Sequence, residues 1–296
     1  MKFRKLIVKP LLLAIIFLTA VLGQNALCQP VSENLILLPR ARLFDPRVAD
    51  PQEIQLSARY LLDRNDFAGN IGYSVGLLEC LVNDTPLQLR VEASTFLVSK
   101  LQTPNFPVQS TDYTIGFPLD LRKGAFSARL RWYHVSSHLG DDFDEIEGIE
   151  GAIDLPPGLN GRRDARPKKY AREFFELFGS YDLSGFRIYG GINWAYHIVR
   201  NASDTKNFDP WVVQFGIEWF GNSNSKMVSP YAAADFKSKR EFDWETDISA
   251  QAGIVVGRNK LRRMRVALEI FTGHSSQGQF FLRNDDDINF LVAFDL

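Results

Sequence analysis

The sequence has little cysteine: only Cys28 and Cys80 among 296 residues. If Cys28 leaves with an N-terminal leader, Cys80 stands alone. No intramolecular disulfide can then form, and a disulfide scaffold is excluded for this secreted chain. Neither charge is in excess. The 34 Lys and Arg against 35 Asp and Glu give a formal net charge of -1 and a pI near 6.4, which does not suggest a nucleic-acid binder. Beyond the N-terminus no stretch offers about twenty apolar residues in a row, so no transmembrane helix is expected. No repeat of solenoid period stands out.

The N-terminus carries its own signal. Lys2, Arg4, Lys5 and Lys9 precede an apolar run from Leu11 to Leu22, followed by Gln24, Asn25, Ala26 and Cys28. This is the order of a secretory signal peptide, with a core too short for an ordinary membrane helix. Cleavage is expected after Cys28. The lipoprotein alternative meets Leu27 where that processing wants a small residue.

The mature chain alternates. In "TDYTIGFPLDL", Tyr113, Ile115, Phe117, Leu119 and Leu121 fall on one face, opposite Asp112, Thr114, Gly116 and Asp120. "WETDISAQAGIVV", "FRIYGGINWAYHI", "PLQLRVEAST" and "INFLVAFDL" repeat the pattern. A period of two separates the faces of a strand. The apolar faces are long and rich in aromatics, and the opposite faces carry charges and glycines. That fits a transmembrane barrel with lipid outside and a polar lumen. A closed sheet also satisfies every backbone group without an edge. Trp132, Trp194, Trp211, Trp219 and Trp244 are expected near the aromatic girdles.

Strands are expected near 53–62, 69–81, 85–98, 111–121, 125–137, 170–182, 185–199, 210–220, 227–237, 243–256, 262–273 and 286–296. Short turns such as "NDT", "RKG" and "LSG" alternate with longer outer connections. This predicts an all-β fold, an antiparallel transmembrane barrel of about twelve strands with both ends in the periplasm. The domain reading is a signal peptide over 1–28, an N-terminal periplasmic segment over 29–51 and a barrel over 52–296. The first and sixth strands fit least well, because apolar residues of the sixth, "YAREFFELFGSYD", occur on both faces. A secreted soluble β-protein is the alternative.

Within this register "RWYHVSSHLGDDF" stands out. Phe126, Ala128, Leu130 and Trp132 share the apolar face, and the period places His134 and Ser136 on that same lipid side, at the upper end of the strand. An imidazole within reach of a serine hydroxyl can take its proton and make it a nucleophile. A third group should orient the histidine: Asp141, Asp142 or a residue of a neighbouring strand. Asp141 and Asp142 could also hold Ca²⁺, which prefers carboxylate oxygens. His134 and His138 without a third ligand are a weak zinc pattern. A second pair, His274 and Ser276, follows Val266, Leu268, Ile270 and Thr272 on their face, about six strands away. The simpler reading of both pairs is a strand end turning polar as it leaves the bilayer. His197 is expected to face the lumen in a structural role. Arg90, Glu92, Arg129, Arg131, Arg187, Glu218, Glu245 and Asp247 are expected inward, where their pairing would narrow or close a pore. The loop "GRRDARPKK" is expected at the outer surface, near lipopolysaccharide phosphates.

The segments "RLRWYHVSSHLGDDF", "GHSSQGQF" and "YGGINW" resemble an uncharacterised family of bacterial outer-membrane barrel proteins, domain of unknown function 1207. That resemblance implies a location and no activity. The His-x-Ser pairs are also similar to those of the outer-membrane phospholipase A and lipid A deacylase families, which carry such a pair on an outward strand face, often followed by Asn-Gly or Asn-Ala. Ser137 and His138 follow the first pair here, and Gln277 and Gly278 the second; no Ser-Trp-Asn element lies downstream. The expected function is a narrow channel or an envelope or surface barrel. The alternative is a lipid-directed serine esterase. The expected partners are outer-membrane lipids and lipopolysaccharide, with no nucleic acid.

Overall fold

A computed structural model of the chain describes residues 35–101, 105–140, 167, 169–198, 209–221, 227–259 and 262–295. Twelve antiparallel strands form the wall: β2 (Leu56–Leu61), β3 (Asp66–Val82), β4 (Thr85–Lys100), β5 (Val108–Lys123), β6 (Phe126–Leu139), β7 (Tyr170–Leu183), β8 (Phe186–Ile198), β9 (Trp211–Phe220), β10 (Val228–Lys239), β11 (Thr246–Asn259), β12 (Arg262–His274) and β13 (Asn284–Asp295). Each pairs with the next, and β13 returns to β2 through the register Phe294↔Leu56 to Asn289↔Leu61, which closes the barrel. The alternation read from the sequence places these strands to within a few residues.

The two faces divide as a lipid-embedded barrel requires. On β9, Trp211, Val213, Phe215, Ile217 and Trp219 are exposed while Gln214 and Glu218 are buried. Ile71, Ile115, Ile188, Leu268 and Phe290 continue the exposed apolar belt on other strands. A belt of that extent would not remain in water; in a bilayer it is the favourable surface. A soluble β-protein is therefore set aside. Tryptophans gather toward both ends, Trp194 stacking on Trp211 at 6.2 Å near the end with long loops and Trp219 against Phe186 at 6.5 Å near the end with short turns. The short-turn end, where the wall also begins and finishes, is called the lower, periplasmic end.

The wall position before β3 is split. A two-residue strand, β1 (Ile36–Leu37), pairs with the lower part of β3. β2 pairs only with its upper part, from Leu56↔Ile71 to Leu61↔Asp66. Between them the chain leaves the wall and runs through the lumen as a plug, residues 43–55. Residues 29–51, expected as a periplasmic segment, are described from residue 35, and from Leu43 they lie largely buried inside the barrel. Leu43, Phe44, Arg47, Val48, Ala49, Asp50, Glu53 and Ile54 are all below 9% exposed.

An irregular segment inside a barrel must find partners for its carbonyls, and the inward arginines supply them. The Leu43 carbonyl accepts from Arg122 Nε at 2.8 Å, those of Asp45 and Pro46 from Arg187 at 2.7 Å each, and that of Val48 from Arg265 at 3.4 Å. Arg47 answers in the other direction. Its Nε lies 2.8 Å from Glu53 Oε2, its Nη1 3.1 Å from Glu176 Oε2 on β7, and its guanidinium stacks over Phe178 at 4.4 Å. Phe44 lies against the guanidinium groups of Arg129 and Arg187, at 4.8 and 4.9 Å. The inward Phe174 and Phe178 of β7 thus explain why that strand is apolar on both faces: Phe174 stacks on Tyr133 at 4.7 Å and Phe178 packs beneath the plug.

Two carboxylates fix the plug's tip. Asp50 lies 2.9 Å from Lys237 Nζ, and Gln214 donates to it at 3.0 Å. Burial opposes ionisation of Asp50, but Lys237 and Arg47 hold its carboxyl below the ordinary range. Burial opposes ionisation of Glu53 too, and Arg47, Arg129 and Arg131 hold it down. A carboxyl depressed on folding stabilises fully above its unfolded value, near pH 4, and loses that contribution as pH falls through the folded value. Hydrogen exchange of residues 43–55, corrected for intrinsic rates, is therefore expected to show the same protection from pH 8 to pH 5 and to lose it only in stronger acid.

The upper mouth is closed by the connection after β12. Its turn of 3₁₀ helix, Gly278–Phe280, crosses toward β5 and β6. Gly278 N donates to Asp112 Oδ2 at 2.8 Å, Gln279 N to Ser137 Oγ at 3.0 Å and Ser110 Oγ to Gln277 Oε1 at 2.9 Å. The plug and this cover meet where Gln52 Nε2 donates to the Ser276 carbonyl at 3.0 Å. The cavities that remain among the described residues include one of about 640 Å³ at the lower end, one of about 80 Å³ above the plug and one of about 60 Å³ beside Arg59 and Ser276.

Candidate functional site on the outer wall

The alternation of β6 holds to the rim. Arg129, Arg131 and Ser137 are buried toward the lumen, and Trp132, His134 and Ser136 lie on the lipid side. The sheet then supplies what the sequence could not choose. His134 sits opposite Ile115 of β5 and Glu173 of β7, and Ser136 opposite Tyr113 and Ala171. Glu173 Oε1 lies 3.9 Å from His134 Nδ1. The carboxylate is itself held: the Tyr196 hydroxyl donates to Glu173 Oε2 at 2.6 Å and accepts from Trp132 Nε1 at 2.7 Å. Among the described residues no hydrogen bond joins His134 to Ser136.

His197 corrects an expectation. The β7–β8 register passes from Glu173↔His197 to Phe174↔Ala195, so Tyr196 is an extra residue, a bulge. The bulge turns His197 to the outer side, its side chain 44% exposed and its Nδ1 3.9 Å from Glu173 Oε2. Strict alternation had placed it in the lumen.

The second pair is also corrected. Gly273 has φ +138°, in the region that glycine favours. The turn there takes His274 off the face of Leu268 and Ile270 and buries it to 2% exposure. Its backbone N and Nδ1 both contact Asp247 Oδ1, at 2.7 and 3.0 Å, and its ring stacks on Phe242 at 3.6 Å. Ser276 belongs to the cover itself and lines the cavity between it and the plug. The two pairs are therefore not equivalent: one faces lipid and the other closes the mouth. A Cβ at position 273 would fall 2.4 Å from Asp247 Oδ1. Gly273→Ala is expected to cost about 1–3 kcal/mol for the backbone alone, read as a lower urea midpoint of the refolded barrel.

Asp141 and Asp142 lie outside the described residues. Among the described residues no three His, Cys, Asp or Glu are grouped to hold a metal. Seven of the eight charges expected inward are buried there. Arg131 bridges Glu92 and Glu176 at 2.8 and 2.5 Å, Arg129 pairs with Asp120 at 2.7 Å and Arg187 with Glu218 at 3.3 Å. Glu245 is the exception. It precedes β11, its side chain is half exposed and it lies 3.4 Å from His274 Nε2.

Glu173 was the residue sequence reasoning missed. Its signal was present, since alternation along β7 places it on the lipid side with Phe175 and Leu177, where a carboxylate is costly without a purpose or a partner.

The family model described as Protein of unknown function (DUF1207) matches residues 16–295. No curated protein matches the chain. Among solved structures, the chain is similar to the Salmonella typhi outer membrane phospholipase (OMPLA) dimer with bound calcium, at 11% identity over 83% of this chain and 93% of that one, with a TM-score of 0.49. It is similar to outer membrane phospholipase A from Escherichia coli at 11% identity, 81% and 92% coverage and a TM-score of 0.49. LpxR from Salmonella typhimurium follows at 11% identity, 82% and 99% coverage and a TM-score of 0.38.

Proposed function

This chain belongs to the family described as Protein of unknown function (DUF1207), and from its geometry we propose a sealed outer-membrane barrel that acts on lipid at its outward upper rim, as a serine esterase. The observation that carries the reading is Glu173, on the strand beside His134 and 3.9 Å from its Nδ1. It supplies the third group that a His-x-Ser pair needs. In this reading Ser136 Oγ attacks an ester carbonyl of a lipid lying against the wall. His134 takes the hydroxyl proton and returns it to the leaving alcohol, and Glu173 stabilises the imidazolium. Water then enters by the same base and releases the fatty acid. Tyr196 keeps Glu173 facing His134. The site sits where acyl esters of outer-leaflet lipid are found, so phospholipid and the lipid A part of lipopolysaccharide are the substrate classes. Calcium, with Asp141 and Asp142 as its ligands, is part of the proposal as an activator.

The test is release of fatty acid from phospholipid and lipid A by the refolded protein, with and without Ca²⁺, beside Ser136→Ala and Ser276→Ala. Loss in the first variant alone supports the site. No release by folded wild type refutes the esterase and leaves a sealed envelope or surface barrel. A narrow, regulated channel is the second reading; the plug favours it, because only non-covalent contacts hold those residues in the lumen. We further propose export by a signal peptide cleaved after Cys28.

A further inference from the structure

The lower cavity lies beside a gap in the strand pairing of the wall. Pairing of β2 with β3 stops at Leu56↔Ile71, and pairing of β1 with β3 begins at Leu37↔Leu78. Between them Gly72 N bonds to the Gln55 carbonyl and the Leu77 carbonyl to Leu38 N, while the Ser74 carbonyl accepts from the Arg90 side chain at 2.7 Å and Pro39 packs against Gly76. Tyr73 to Gly76 therefore have no strand partner on that edge among the described residues. The β13 wall ends at the same level, where Phe294 pairs with Leu56. One cavity of about 640 Å³ accordingly touches outward side chains, Leu56, Tyr73 and Phe294, and lumen-side groups, Gln55, Arg187 and Glu218.

Two buried donors of that lining lack a partner. Arg187, 5% exposed, spends its Nη atoms on the plug carbonyls and Glu218, and its Nε has none. Gln55, 6% exposed, gives its Oε1 to Arg265 at 2.6 Å, and its Nε2 has none. An unsatisfied buried donor is costly, and both of these want an acceptor. Apolar side chains outside and acceptor-seeking donors within are arranged in the order of a phospholipid's own parts.

We propose that this opening is a binding site for one glycerophospholipid of the periplasmic leaflet, its phosphate inside the wall against Gln55 and Arg187 and its acyl chains outside along Leu56, Tyr73 and Phe294. The lipid supplies the missing acceptors and covers the unpaired edge of β3. The site lies at the opposite end of the barrel from Ser136 and does not depend on the esterase reading.

The test is native mass spectrometry of the full chain in detergent with added phosphatidylethanolamine, at energies that strip loosely bound lipid. One retained phospholipid per wild-type barrel is expected. Gln55→Glu keeps the oxygen that Arg265 uses and replaces the free donor with a charge that repels phosphate. Retention is expected to fall about tenfold, the effect of one hydrogen bond to a charged group. Arg187→Lys keeps the charge, removes Nε and should weaken retention in the same direction. Lys123→Glu, which changes charge at the exposed turn of the same rim, should retain lipid as wild type does. No retained lipid in wild type, or equal retention in Gln55→Glu and Arg187→Lys, would overturn the proposal. So would displacement of the lipid by glycerol 3-phosphate at millimolar concentration, which would make the ligand a soluble phosphate ester.

Discussion

Ser136→Ala is expected to lower lipid hydrolysis by on the order of 10⁴-fold or more, the scale seen when a serine nucleophile is removed from a triad. The expectation rests on an arrangement that only the sheet creates. His134 and Ser136 share the lipid face of β6, and β7 brings Glu173 to 3.9 Å from the imidazole. Glu173→Gln keeps the shape and removes the charge that would stabilise an imidazolium, so a loss of roughly 10²- to 10⁴-fold is expected. His134→Ala should cost about as much as Ser136→Ala, and the double variant hardly more, because such groups act as a unit. Ser276→Ala should leave the rate unchanged, since that serine belongs to the cover and faces the lumen. Fatty-acid release by the folded variants, measured side by side, checks each expectation.

The second large effect concerns the seal. Arg47 is 1% exposed and touches Glu53, Glu176 and the ring of Phe178. Removing one partner of a buried ion pair leaves the other charge uncompensated, at a cost of about 3–5 kcal/mol. Arg47→Ala should lower the barrel's stability by that order and loosen residues 43–55 from the lumen. Planar-bilayer recordings of wild type should be silent, and those of Arg47→Ala should show intermittent conductance steps. A more complete variant replaces residues 39–55 with a polar linker. β1 and β2 occupy one wall position, seven β3 residues apart at Leu78 and Ile71. About eight residues span that distance at roughly 3.3 Å each. Persistent silence in both variants would show that the plug is not what closes the barrel.

The sequence carried the wall well and its contents poorly. A strand's period of two is local, so "TDYTIGFPLDL" announces β5 by itself. The plug leaves no such mark. "RLFDPRVADPQEIQ" has no periodicity, and its place in the lumen depends on arginines dispersed over β5, β8 and β12 that meet it only once the barrel closes. Charge on the inward faces was visible, but its pairing with a segment of the same chain was not. Departures from alternation were invisible for a similar reason. The bulge at Tyr196 and the turn at Gly273 each reverse a histidine, and neither is marked by more than a common residue. Glu173 could have been found by asking why a carboxylate stands on a lipid face. That question is available from sequence, although its answer, the facing His134, requires the β6–β7 register.

The most direct measurement is labelling of the refolded wild-type protein with a lipid-like fluorophosphonate, a reagent that reacts with activated serine hydroxyls, followed by peptide mass spectrometry. The account predicts one adduct, on Ser136, absent from His134→Ala and strongly reduced in Glu173→Gln. An unlabelled wild type, or an adduct on Ser276 or another serine in place of Ser136, would contradict it.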